Sequence, residues 1–399
     1  MSQESCDILI IGAGIVGLSV GIAILESNPA LKVKVIDKEN KLGKHASGRN
    51  SGVLHAGFYY TPESLKARFC REGNFELKKL CQNFAIPIRN CGKVVVTQNE
   101  DEETRLDLLY KRGIANGVEL EILEAEKLKT YEPLAITFNR FLWSPSTAVT
   151  DSALVITAMA DRFLKYGGDL SFDQKCQIGR TSSEITSSIR FRHLVNCAGA
   201  QADRLAKKVG EASDYSMVPF MGVYRAVSEK LLPLRTLVYP VPHPLNPFLG
   251  VHFTLTVDQK VKIGPTAIPI TGREQYSLLE GWSASDMLET IKGAASLIRK
   301  DSHDFSEILK NEWPKLIEKR LVKEASKLVP VATKVAGWTR KPPGIRAQLV
   351  HLPTGKLEQD FVVRNLLNST HILNAVSPGW TSAIPFGRYV ASEYVLPNI

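Results

Sequence analysis

Cys6 to Gly12 is a short, nearly unbroken apolar run that opens directly into Gly12-Ala13-Gly14-Ile15-Val16-Gly17. Such a run suits a strand buried on both faces of a parallel sheet. A helical stretch, Leu18 to Glu26, follows and is broken at Asn28-Pro29. A second strand, Val33 to Ile36, then ends on Asp37, twenty residues after Gly17. The three glycines do different things. Gly12 permits the tight strand-to-helix turn, Gly14 lets backbone approach a pyrophosphate, and Gly17 lets helix and strand pack closely. The helix N-terminus offers free N–H groups and a positive dipole end to phosphate. Asp37 is placed to accept hydrogen bonds from an adenosine ribose. A glycine-rich turn alone recurs by chance, but strand, turn, helix, strand and acid in this order form the context that a dinucleotide site requires.

The chain has 399 residues, about two to three typical domains' worth, and 44% apolar content is enough for a substantial core. Apolar runs such as Ile8 to Val20 are short and interrupted by glycine, so no segment is expected to span a bilayer. The N-terminus runs almost at once into a strand, leaving no signal-like segment, and cytoplasmic residence is the expectation. Six cysteines lie far apart without C-x-x-C spacing, which reads as free thiols and no metal centre. The net charge of +9 is spread along the chain without a dense basic block, so nucleic-acid binding is not expected. A basic surface that steers an anionic ligand, or that meets an anionic membrane face peripherally, fits this distribution.

After Asp37 and Lys38 the chain does not continue in alternating strands and helices, as a nicotinamide enzyme would. It enters Lys44-His45-Ala46-Ser47-Gly48-Arg49-Asn50-Ser51-Gly52-Val53-Leu54-His55-Ala56-Gly57. Small residues there permit close approach to a large flat ligand, with Ser47, Asn50 and Ser51 offering polar contacts and Gly52 beside them. This segment resembles the D-amino-acid oxidase and glycerol-3-phosphate dehydrogenase superfamily of flavoproteins. Phe58-Tyr59-Tyr60, Ser64-Leu65-Lys66-Ala67, Cys91-Gly92-Lys93, Tyr239-Pro240-Val241-Pro242, Phe248 to Thr254 and Gly264-Pro265-Thr266-Ala267 are similar to its L-2-hydroxyglutarate dehydrogenase and oxidase branch. The resemblance implies FAD as cofactor. It also implies that Cys197, Ala198 and Gly199 pass beneath it, and that Pro378, Gly379 and the helix after them face the flavin pyrimidine ring. Two departures stand out: Trp380 replaces a smaller residue, and Pro385 either kinks the last helix or sits in its first turn.

The implied chemistry moves a hydride to flavin N5 and removes a hydroxyl proton, for which a neutral histidine is suited. His55 lies in the family motif, and His252 alternates with Val251 and Phe253 on a strand-like run. His45, His193, His243, His303, His351 and His371 carry no comparable signal. Gly344-Ile345-Arg346 resembles the family segment whose arginine binds the substrate carboxylate or phosphate, and Arg346 offers two parallel donors. Tyr60, Lys66 and Arg68 are candidates for a second anchor. The expected fold is α/β with an α+β substrate part: a Rossmann-like FAD-binding domain (1–90, 145–215, 335–399) interwoven with a discontinuous antiparallel-sheet substrate domain (91–144, 216–334). Val94-Val95-Val96 and Val261-Lys262-Ile263 read as strands there, and 284–299 and 305–328 as helices. The expected reaction is oxidation of L-2-hydroxyglutarate to 2-oxoglutarate, with electrons passed to a quinone, another carrier or oxygen. A glycerol-3-phosphate or amino-acid oxidase on the same fold is the alternative.

Overall fold

The computed structural model describes residues 4–242, 249–277, 280–281, 283–300 and 310–399. His243, Phe248, His303 and the start of the helix expected at 305–328 lie outside the described residues.

β1 (Ile8–Ile11) is buried along its whole length and lies parallel between β2 (Val33–Ile36) and His193–Asn196. Ile11 aligns with Ile36 on one side and Asn196 on the other, which brings three strand ends to one edge. The six-stranded sheet runs Val362–Leu366, Ser369–Asn374, His193–Asn196, β1, β2, Asp169–Ser171, and only the 362–374 hairpin is antiparallel. Between β1 and β2, α1 (Ile15–Ser27) packs against Ser152–Lys165 and Ala383–Val390. Because neighbours enclose it on several sides, α1 is apolar nearly all round, without a polar stripe.

A second, eight-stranded sheet runs Thr339–Arg340, Arg225–Ser228, Lys260–Gly264, His252–Leu255, Leu237–Pro240, Lys93–Val96, Arg140–Ser144, Glu121–Glu124. It is antiparallel except where Leu237–Pro240 runs parallel to Lys93–Val96, a pairing that the expected antiparallel sheet did not include. A four-stranded sheet joins the two parts. In it Tyr215–Gly222 pairs antiparallel with Gly344–His351 along all eight residues. The first strands after residue 335 thus belong to these two sheets rather than to the six-stranded one.

The helical segment expected at 305–328 is not continuous in its described part. It is helical at 310–312, forms a 3-10 turn at Trp313–Leu316 and resumes at Glu318–Ala325. Pro314 has no N–H to continue an α-helix and disfavours helical backbone before it. The last α-helix is Ala383–Val390, continued by a π-helical turn at Ala391–Val395, so Pro385 sits in its first turn, where it removes no intrahelical bond. Among the described residues no helix is long and apolar enough to cross a membrane.

Candidate active site

One cavity of about 620 Å³ runs from the C-terminal edge of the six-stranded sheet to the His252 strand. Its floor at the sheet edge is the glycine turn. Gly12 has φ +109°, and a Cβ there would lie 2.5 Å from the Cys197 carbonyl oxygen. A Cβ on Gly17 would lie 2.1 Å from the Gly12 carbonyl oxygen, so this glycine closes the turn from behind instead of lining the cavity. Gly14 has space on its cavity side, with Ser47 Oγ as the one near contact at 3.1 Å. Bare backbone, a helix N-terminus and an elongated cavity beside them fit a dinucleotide pyrophosphate.

Asp37 lines this end and already accepts hydrogen bonds from the backbone N–H groups of Ala13 (2.8 Å) and Glu39 (2.9 Å). It therefore braces the glycine turn in addition to facing the cavity. Lys38 lies against Glu39 (3.0 Å) and Glu274 (2.6 Å). Ser47 Oγ accepts from the Ile15 N–H at 3.0 Å, capping one free donor of α1. Asn50 folds its own loop, donating to the Ser47 carbonyl at 2.8 Å and accepting from the Gly52 N–H at 2.8 Å. Ser51 faces the cavity, while Gly52, at φ +77°, stands behind it. Cys197, Ala198 and Gly199 line the cavity at the end of His193–Asn196, and Pro378 and Gly379 line it before the last helix. All six cysteines are free thiols.

The far end gathers His55, His252, Tyr239 and Arg346. His252 stacks on the Tyr239 ring, centroids 3.8 Å apart and planes 18° apart. Its Nδ1 lies 2.7 Å from the Gly250 carbonyl, which can only accept, so Nδ1 carries the proton and Nε2 keeps its lone pair. Burial holds this imidazole down to about 3, against the partial support of that hydrogen bond. His55 Nδ1 is buried without a partner among the described residues. Its pKa lies well below the ordinary 6.5, first through burial and then through the charges of Lys93, His252 and Arg346. Both imidazoles are thus neutral near pH 7. Arg346 stands opposite Phe220 in the four-stranded sheet and donates to the Thr266 carbonyl at 3.4 Å.

The other expected anchors are not brought to this wall. Tyr60 does not line the cavity. Lys66 is 5% exposed, behind the cavity near Asp360, and burial lowers its amine to about 8. Arg68 points outward and pairs with Glu72 at 3.3 Å.

Sequence reasoning missed a strap that crosses the glycine-turn end of the cavity. His45 Nδ1 lies 2.7 Å from the Tyr276 hydroxyl, Arg49 stacks over that ring at 4.0 Å, and Glu274 accepts from Gln201 at 2.9 Å as well as from Lys38. Residues 271–277 have no periodicity that would have marked them. Glu39, His45 and Glu274 bring three potential metal-ligand atoms within 4.8 Å, but Lys38 and Lys44 already neutralise the carboxylates. Tyr239 and Lys93 stand inside family-like motifs that by themselves suggest no role for them; their positions depend on strand pairing between distant segments.

The profile of the FAD dependent oxidoreductase family matches residues 7–393. The L-2-hydroxyglutarate dehydrogenase of Escherichia coli K12 is 35% identical over 97% of this chain and 92% of its own length. The human mitochondrial L-2-hydroxyglutarate dehydrogenase is 34% identical over 98% of this chain and 89% of its own. Among solved structures, the FAD-bound L-alpha-glycerophosphate oxidase of Mycoplasma pneumoniae superposes with a TM-score of 0.74 at 23% identity, covering 98% of this chain and 94% of that one. Glycine oxidase from Geobacillus kaustophilus does so at 0.72 and 17%, with the same coverage of both chains. These likenesses show the fold.

Proposed function

Because the chain belongs to the FAD dependent oxidoreductase family, we propose that it oxidises L-2-hydroxyglutarate to 2-oxoglutarate. The observation that carries this reading is the meeting of Arg346 with two neutral histidines in one cavity, in a chain 34–36% identical to L-2-hydroxyglutarate dehydrogenases. The protein is an FAD-dependent enzyme of the 2-hydroxy-acid dehydrogenase kind. When bound, FAD supplies the hydride acceptor, N5; Gly12, Gly14, Asp37 and the α1 N-terminus would hold its adenosine diphosphate half.

The guanidinium of Arg346 receives the substrate carboxylate through paired charge-assisted hydrogen bonds and so fixes the adjacent carbon. A neutral imidazole accepts the hydroxyl proton as the C–H bond breaks. His55, with its unpartnered ring nitrogen, is assigned that role, and His252 Nε2 is the second candidate. Burial favours this arrangement, because it keeps the accepting nitrogen unprotonated before substrate arrives.

Electrons then pass to a quinone, another carrier or oxygen. For a membrane-borne acceptor, the exposed Leu288, Ile291 and Ile298 of the helix Ala284–Lys300 offer an apolar contact face for peripheral association. Anaerobic mixing with L-2-hydroxyglutarate should bleach the oxidised-flavin absorbance, and the D-enantiomer should not. Bleaching by glycerol 3-phosphate or an amino acid in its place would move the substrate to the alternative class and leave the family intact.

A further inference from the structure

Lys93 is the least explained side chain near the histidines. It is 0% exposed, it has no hydrogen-bond partner among the described residues, and it does not line the cavity. Strand pairing explains where it goes. Lys93 is in register with Leu237, and Val238 is in register with Phe253. Side chains alternate along a strand, so Lys93, Tyr239 and His252 share one face of the eight-stranded sheet, with Tyr239 between the other two. The Lys93 amine lies 4.1 Å from the Tyr239 ring centroid, 5.0 Å from that of Tyr59 and 5.3 Å from that of Phe58. Three rings around one amine form a cage that favours its ammonium form.

The groups acting electrostatically on this cluster are few. Lys93 faces Cys70 from the helix Leu65–Asn83 and Cys91 from the preceding loop; His55 faces Lys93, His252 and Arg346; His252 faces Lys93 and Arg346. No carboxylate is among them. A cation placed there is therefore opposed by no nearby anion, and its field falls on both imidazoles.

We propose that Lys93 is a positioning residue for the oxidation, a caged buried cation that keeps His55 and His252 unprotonated so that a proton acceptor is always ready. The inference rests on the histidine roles proposed above. Burial lowers the Lys93 amine to about 7, so below neutrality it carries its charge, which is the range in which an imidazole would otherwise take up a proton. Removing the charge leaves burial as the main restraint on the histidines, and their midpoints rise by about one pH unit.

The test uses FAD-loaded protein labelled with 15N-histidine, in wild type, Lys93→Met and Lys93→Gln. The His55 and His252 signals are assigned with His55→Asn and His252→Asn, and followed by NMR from pH 3 to 8. In wild type both signals stay those of neutral imidazole further into acid than in either variant; in both variants at least one begins to titrate about one unit higher. The acid limb of the flavin-reduction rate moves up with it. Unchanged histidine titrations in variants that retain FAD and melt like wild type would overturn the proposal and leave Lys93 a packing residue. The NMR arm needs no substrate, so failure of L-2-hydroxyglutarate to bleach the flavin would sink the substrate reading and leave this test standing.

Discussion

Replacing Gly17 with alanine sets two opposing effects against each other at one methyl group. Gly17 lies inside α1 with ordinary helical backbone, so alanine would gain about 1 kcal/mol of helix propensity. The new Cβ, however, would lie 2.1 Å from the Gly12 carbonyl oxygen and 3.3 Å from Cys197 Cβ. The first contact is backbone against backbone, with no flexible side chain to yield, so α1 must withdraw by roughly 1 Å from the turn it caps. Overpacking of this kind costs about 1–3 kcal/mol, and against main chain we take the upper end. The net expectation is a loss of about 2 kcal/mol, or a melting shift of about 2–5 °C for a structural unit of this size. The same withdrawal moves the Ala13 and Gly14 N–H groups, so FAD affinity should fall by about tenfold or more. Melts of apo and FAD-loaded protein, with a flavin-fluorescence titration, measure both. Gly14→Ala is the contrast: its Cβ meets only Ser47 Oγ, at 3.1 Å, so stability should hold while cofactor affinity drops. A Gly17→Ala protein that melts at or above wild type with unchanged FAD affinity would refute the packing argument.

His55→Asn should retain FAD and lower the rate of flavin reduction by about 10²–10⁴-fold, seen in anaerobic stopped flow. Arg346→Met should lower kcat/KM by about 10²-fold or more with the flavin spectrum intact, because a carboxylate would meet an uncharged wall. Asp203→Asn should cost about 1–3 kcal/mol in chemical denaturation, since Arg273, whose side chain is also 0% exposed, loses its buried carboxylate partner and keeps the part-exposed Glu289 as counter-charge. His193 and His371 are both held down to about 4 by burial, so between pH 6.5 and 4 the unfolded chain binds protons that the native chain does not. Stability should therefore fall as pH drops through that window, each histidine adding at most about 1.4 kcal/mol per unit, and urea midpoints at pH 7.5 and 5.5 would reveal it.

The cofactor half was legible because its signals are local. Ile8–Ile11, the glycine turn and Val33–Ile36 follow one another in sequence, and the structure sets them side by side in the same order. The reactive half was legible only in part. His252 was read correctly as facing away from Phe253, because alternation along a strand is itself local. Tyr60, Lys66 and Arg68 failed as cavity residues because nearness in sequence to His55 says nothing of direction once the chain enters the helix Leu65–Asn83. The cage around Lys93 could not be read at all, since it depends on Lys93–Val96 pairing parallel with a strand some 140 residues later. The break at Pro314 is different in kind: a proline inside an expected helix is a local signal, and reading 305–328 as one helix passes over it.

The order of strands in the six-stranded sheet has a consequence for how the protein is made. β1, at the sheet's centre, is made well before one of its neighbours, His193–Asn196, and longer still before the next strand out, Ser369–Asn374. Between those events an apolar strand meant to be covered on both faces waits without its eventual surroundings. The last helix, which closes over α1, arrives later still. Until those later segments arrive the strand is exposed to wrong partners, and loss of Ser369–Val390 would remove a wall of the six-stranded half.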